Sequence, residues 1–300
     1  MTDEQSAPLE GVDIGSGQLD DDERRRIREG LTSETNIRRN EAARTLTILV
    51  EEDPSVVRPF VDDLLPLLED ERNVIAQQAG TALLGVARDH PEDFVESVPT
   101  VLSLLERDFN SLELLGTQIL VQVVLERPDV VSPHLDRITA VVADRSPAFD
   151  AGDVEVVDDE DTRKTVIEHD KEEHQMLIQS QARLSNVIVA AAEGDPESAV
   201  DHLDSFLELF ASPDATVVGA GVDAVAEVAK VDPDAAASAY DGLIAALNHD
   251  HDSVRVRAIR ALGHLGDERA AGPLEDLARA TDDEEIADLA EETAAFLDDD

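Results

Sequence analysis

Residues 252 to 267 read Asp252-Ser253-Val254-Arg255-Val256-Arg257-Ala258-Ile259-Arg260-Ala261-Leu262-Gly263-His264-Leu265-Gly266-Asp267. Val254, Ala258, Leu262 and Leu265 recur every third or fourth position, so they share one face of a helix. Alanines on that face let neighbouring helices approach closely. Asp252 or Ser253 is placed to cap the helix.

The same kind of segment returns along the chain. Prolines preceded by a polar residue stand at Pro54, Pro91, Pro128, Pro196 and Pro233, separated by 37, 37, 68 and 37 residues. Pro59 and Pro133 lie 74 apart, twice that period. The 68-residue gap is one period plus 31 residues, which marks an insertion. Proline suits the first position of a helix, where its missing amide hydrogen is not needed and its fixed dihedral is already helical. Each of these prolines is therefore expected to start a helix. Between them lie two amphipathic segments per period, such as Phe60 to Glu69 with Leu64, Leu65, Leu67 and Leu68, then Val74 to Arg88 with Ala79, Leu83, Leu84 and Val86. The joins are short: Asp70 to Asn73, Arg107 to Ser111, Ser212 to Ala215, His249 to Ser253. Joins of that length make the two helices of each unit antiparallel.

The stretch at 252–267 resembles the HEAT-like repeat first recognised in phycobilisome lyases, whose second helix reads Val-Arg, then Ala, then Ala-Leu-Gly and Leu-Gly-Asp. Ile37-Arg38 and Val217-Val218 are looser copies. By periodicity the resemblance covers roughly residues 20 to 300. It implies an all-α chain, a right-handed α-solenoid of about seven HEAT-like helix pairs, each too small to bury its apolar face alone. An opening helix near Leu19 to Gly30 and an acidic capping helix from Glu284 to Leu297 would close the ends. The expected organisation is a disordered acidic tail at 1–18, repeats over 19–145, an acidic inserted loop at 146–171, and repeats with the cap over 172–300. The insertion holds Pro147, Gly152, a small extended candidate at Val154 to Val157 and the acidic run Asp158 to Asp161. Two readings of it stay open: a solvated loop or an arm touching a partner, both compatible with a helix beginning near Thr165.

Composition limits the chemistry. There is no cysteine, so disulfides, thiolate nucleophiles and zinc-thiolate sites are excluded. Aromatic residues are 3% and tryptophan is absent, so the core must be built from Leu, Val, Ile and Ala. The formal charge is -45, with Lys164, Lys171 and Lys230 the only lysines. That balance resembles the cytosolic proteins of salt-in halophilic archaea, where molar salt quenches repulsion among carboxylates. No leader peptide or spanning segment is read at the N-terminus or elsewhere, so a cytoplasmic protein is expected, binding neither membrane nor nucleic acid.

A catalytic or metal centre is not expected. His169 and His174, beside Glu168, Asp170 and Glu173, are five residues apart, which does not stack them on one helical face. His249, Asp250, His251 and Asp252 read as the join before a helix. No His-Glu pair of the deoxyhypusine hydroxylase kind occurs, and no phosphate loop, dinucleotide fingerprint or nucleophile elbow. No cofactor is expected.

Arginines stand out against the acidic background. Arg24, Arg25, Arg26 and Arg28, with Arg38, Arg39 and Arg44, make the N-terminal end locally basic, and Arg255, Arg257 and Arg260 do so near the other end. They either bridge carboxylates of adjacent repeats or grip an acidic protein partner. Off-stripe positions on the second helices, which would line a concave face, are Arg38, Arg44, Gln77, Gln78, Glu113, Gln118, Gln181 and Arg257. The candidate partner-binding residues are thus Arg25, Arg26, Arg38, Arg39, Arg44, Gln77, Gln78, Gln118, Gln181 and Arg257. The expected function is a non-catalytic scaffold or adaptor, serving archaeal signalling, taxis or chromosome maintenance. The alternative is an enzyme or enzyme subunit of the lyase or metal-oxygenase type.

Overall fold

The computed structural model describes residues 8–107, 109–144 and 160–298, and only the backbone of Ser16, 160–170, Glu172 and Glu173. Its described residues form helices and 3-10 turns, with no strand, in seven successive pairs. The second helices are Asn36–Glu52, Asn73–Asp89, Asn110–Glu126, Glu160–Gly194, Ala215–Val231, Asp252–Leu265 and Glu284–Asp298. The first three start 37 residues apart, as do the fifth and sixth. The chain is an all-α solenoid, and its contacts divide it into two units: 1–130 with 164–180, and 131–163 with 181–300.

Within the first unit the second helices of pairs one, two and three pack side by side, and within the second unit those of pairs five, six and seven do so. Each is held by an apolar stripe, for example Val254, Ala258, Leu262 and Leu265, of which the first three are fully buried. The core holds few aromatic rings, with Phe60, Phe94 and Phe206 wholly enclosed. Aliphatic side chains can fill it because small residues sit where helices touch. A Cβ on Gly116 would come within 2.9 Å of Leu104 Cβ, and one on Gly221 within 2.9 Å of Leu209 Cβ and Phe206 O. Both glycines hold the same repeat position, where the second helix presses on the first of its own pair.

The first helices of pairs two to six are broken, whereas that of pair one, Asp21–Leu31, is continuous. The first member of pair two runs Pro54–Val57, Arg58–Phe60, Val61–Leu64 and Leu65–Glu69, alternating α and 3-10 turns. Proline explains part of this, since Pro59 and Pro66 supply no amide donor to an α turn. The 3-10 turns Val200–His202 and Ala237–Ala239 lie at the matching position of pairs five and six with no proline in them. The break therefore belongs to the repeat, and proline is tolerated there. Asp53, Asp195 and Asp232 cap the helices opened by Pro54, Pro196 and Pro233, each accepting a backbone amide. Pro91 opens a 3-10 helix instead, Pro91–Ser97. His251, not Asp252 or Ser253, stands at the cap of Asp252–Leu265.

Two expectations about irregular segments need correction. Residues 8–18, read as part of a disordered tail, pack on pair one: Leu9 is buried and its amide donates to Thr45 Oγ1 at 2.8 Å. Arg26 also donates to Gly11 O at 2.7 Å, so the tail is fixed by two backbone contacts. Residues 160–171, placed in the inserted loop with a helix allowed from near Thr165, are helical from Glu160, where the second helix of pair four begins. Its repeat portion is 178–194; the 18 residues 160–177 extend it by about 27 Å. Residues 145–159 and the tail residues 1–7 lie outside the described residues.

Candidate functional site

Charge is unevenly shared between the two helices of a pair. The second helices of pairs one to six, counting only 178–194 of the long one, hold ten of the 69 acidic residues and nine of the 24 lysines and arginines. These stretches are close to neutral in a chain of charge -45. The rest of the acid lies on first helices, joins, residues 145–177 and the final helix, where Glu284, Glu285, Asp288, Glu291 and Glu292 are exposed.

In the first unit the near-neutral surface carries amides and hydroxyls. Gln77, Gln78, Thr81 and Gln118 are half-buried, and Arg44, half-buried, stands at the repeat position of Thr81 and Gln118. Arg38 is exposed at the start of the first of these helices. The fold thus brings Arg38, Arg44, Gln77, Gln78 and Gln118 onto three helices packed side by side.

The remaining candidates fall elsewhere. Arg25 and Arg26 are exposed on the first helix of pair one, where Arg25 meets Asp22 at 2.7 Å. Arg39 faces inward to Asp70 at 2.7 Å and donates to Ser33 O and Glu34 O. Arg257, in the second unit, lies over Gly219 and pairs with Asp223 at 2.8 Å. Burial raises the Asp223 carboxyl, against the pull of the Arg257 guanidinium. Gln181 is not exposed as expected: it is 4% accessible, and Glu113 only 1%. Both occupy the repeat position of Ala76 and Val218, which is enclosed by adjoining helices. A polar residue off the apolar stripe therefore need not face solvent.

Several of these arginines tie one repeat to the next. Besides Arg39 and Arg257, Arg28 reaches Asp63 at 2.9 Å and Arg58 reaches Asp93 at 2.7 Å. The Asp93 hydrogen bond raises the Arg58 pKa further above its ordinary value. Sequence reading missed a buried polar cluster in the first unit. Ser180 donates its hydroxyl to Glu113 and lies 2.9 Å from Thr117 Oγ1, joining the long helix of pair four to the second helix of pair three. Among the described residues no group of three histidine, aspartate or glutamate side chains could hold a metal, and no helix is long and apolar enough to cross a membrane.

Residues 203–295 match the family model for HEAT repeats. The match spans most of pairs five to seven, including the stretch at 252–267. Solved structures resemble the chain over a longer span. An engineered protein from a structural genomics programme has TM-score 0.58 and 18% identity over 91% of this chain and 67% of its own. The archaeal HEAT-like repeats protein from Thermococcus onnurineus NA1 has TM-score 0.54 and 14% identity over 91% of this chain and 96% of its own. A designed armadillo repeat protein in complex with the peptide (KR)4 has TM-score 0.51 and 14% identity over 80% and 98%. At such identities the HEAT and armadillo likeness is one of fold. No curated protein matches the chain.

Proposed function

We propose that the protein is a non-catalytic scaffold or adaptor of a salt-rich archaeal cytoplasm, which holds an acidic partner protein on the second helices of its first unit. The observation that carries this reading is the near-neutrality of those helices in a chain of charge -45. A solvated face that served only solubility would share the acid; one that receives another acidic surface must lose it. Arg38 and Arg44 supply guanidinium groups, and Gln77, Gln78 and Gln118 offer amides that hydrogen-bond without adding charge. Arg25 and Arg26 extend the basic area onto the first helix of pair one. Arg39, Gln181 and Arg257 frame the repeats and lie outside the contact. The designed armadillo protein that holds (KR)4 has a strongly basic ligand. The arginine-bearing face here fits the opposite charge.

Putting acid back is the direct test. Full-length protein and the double variant Arg38→Glu, Gln118→Glu are immobilised in molar KCl and exposed to extract of the source cells. The native chain should recover one protein in stoichiometric amount, the variant should lose it, and circular dichroism of the two should coincide. Equal recovery by a folded variant would overturn the reading.

A further inference from the structure

In the second unit a cavity of about 350 Å³ opens between the second helices of pairs six and seven. It is lined by Arg260, Gly263 and His264 from one and by Leu289, Glu292, Thr293 and Phe296 from the other. Its volume is at the small end of ligand pockets, which span about 300–1,000 Å³, so it suits one or two side chains. Phe296 is 57% exposed at the edge of this cavity, whereas Phe60, Phe94 and Phe206 are wholly buried. The cavity depends on Gly263: a Cβ there would lie 3.1 Å from Thr293 Cγ2 and narrow the gap between the helices.

Charged side chains border the cavity on both helices. Arg39, Arg255 and Arg257, on other second helices or on the same one, are each engaged by an aspartate. Arg260 and Glu292 border the same cavity, both exposed, and among the described residues neither makes an ion pair or side-chain hydrogen bond, although the Arg260 charge acts on the Asp223 carboxyl. Desolvation, with Lys230 nearby, holds the His264 imidazole below its ordinary value. One wall thus presents an exposed guanidinium and the other an exposed carboxylate, with the Phe296 ring beside the carboxylate.

We propose that this cavity receives a single large apolar side chain of a partner polypeptide, flanked on one side by an acidic residue that meets Arg260 and on the other by a basic residue that meets Glu292. The apolar residue covers Phe296 and Leu289, which supplies the driving force. The two opposite charges fix the direction in which the segment lies, because the reversed segment would set like charges together. This site rests on the scaffold reading for its occupant but uses a different surface, so the two can fail separately.

The absence of tryptophan makes the chain silent to a tryptophan-bearing probe. A blocked peptide with one tryptophan between a glutamate and a lysine is titrated with the full chain in molar KCl, following emission wavelength and anisotropy. Binding should shift the emission to the blue. Phe296→Ala, a substitution at an exposed position, should weaken it by about tenfold. The double swap Arg260→Glu, Glu292→Arg should reverse the preference between this peptide and one with glutamate and lysine exchanged. Absence of a shift, unchanged affinity of Phe296→Ala, or an unreversed preference in a swap variant of native helicity would overturn the site. If the partner captured through Arg38 and Gln118 is still held in any of those cases, the scaffold reading stands while this one falls.

Discussion

Arg39 Nε donates to Asp70 Oδ2 at 2.7 Å, while its terminal nitrogens reach Ser33 O, Glu34 O and Asn36 Oδ1. The two side chains are 19% and 5% exposed, so little water is available to replace what either loses. Arg39→Gln would leave Asp70 short of its charged donor, at a cost of about 1–3 kcal/mol. Arg25, whose pair with Asp22 has both side chains more than 60% exposed, serves as the comparison; Arg25→Gln should cost no more than about 0.5 kcal/mol. Thermal melting of both variants in molar KCl checks this, and equal shifts would contradict it. Such differences between arginines were only half legible in the sequence. Helical spacing placed Val254, Ala258 and Leu262 on the buried stripe correctly. It could not tell Arg39 from Arg38, or Gln181 from Gln118, because a neighbour's partner lies a whole repeat away, as Asp70 lies 31 residues from Arg39. Burial off the stripe is decided by stacking of repeats, which spacing within one helix does not contain.

The second helix of pair four, Glu160–Gly194, shows the same limit at the scale of an element. The 68-residue gap between Pro128 and Pro196 located the insertion. Its charge and scarcity of apolar residues argued for a loop, yet glutamate, lysine and arginine are also good helix formers, and an extension needs no nucleus of its own. What anchors the junction of extension and repeat is Ser180, buried with Glu113 and Thr117. A buried carboxylate that loses a hydroxyl donor retains its desolvation cost, so Ser180→Ala should destabilise by about 1–3 kcal/mol. Removing the carboxylate as well takes away the group that needed the donor. In denaturant unfolding, Ser180→Ala combined with Glu113→Leu should therefore cost less than the two single changes added together. Strict additivity would mean that the contact does not couple the helices.

Across the whole molecule, the charge of -45 and the pairing of seven helical units act against each other. No pair buries its apolar face alone, so each is held only by its neighbours. The acid that the second helices of pairs one to six lack is concentrated on first helices, joins, residues 145–177 and the final helix. At about 0.1 M salt the screening length is roughly 10 Å, long enough for carboxylates on adjacent turns and repeats to repel; near 1 M it is about 3 Å and only contact pairs still interact. The apolar contacts gain in the same direction if the anion is excluded from the surface. Ion pairs between repeats, such as Arg58 with Asp93, change less, since their atoms are already within 2.7 Å. Raising KCl from tenths molar to molar should therefore raise the helical circular dichroism signal and move the melting midpoint up by several degrees, with the ion pairs too few to reverse the sign. Helicity and midpoint that do not change with KCl would show that the charge is not a burden on this fold. In that event the near-neutral second helices could no longer be explained as relief from repulsion toward an acidic partner.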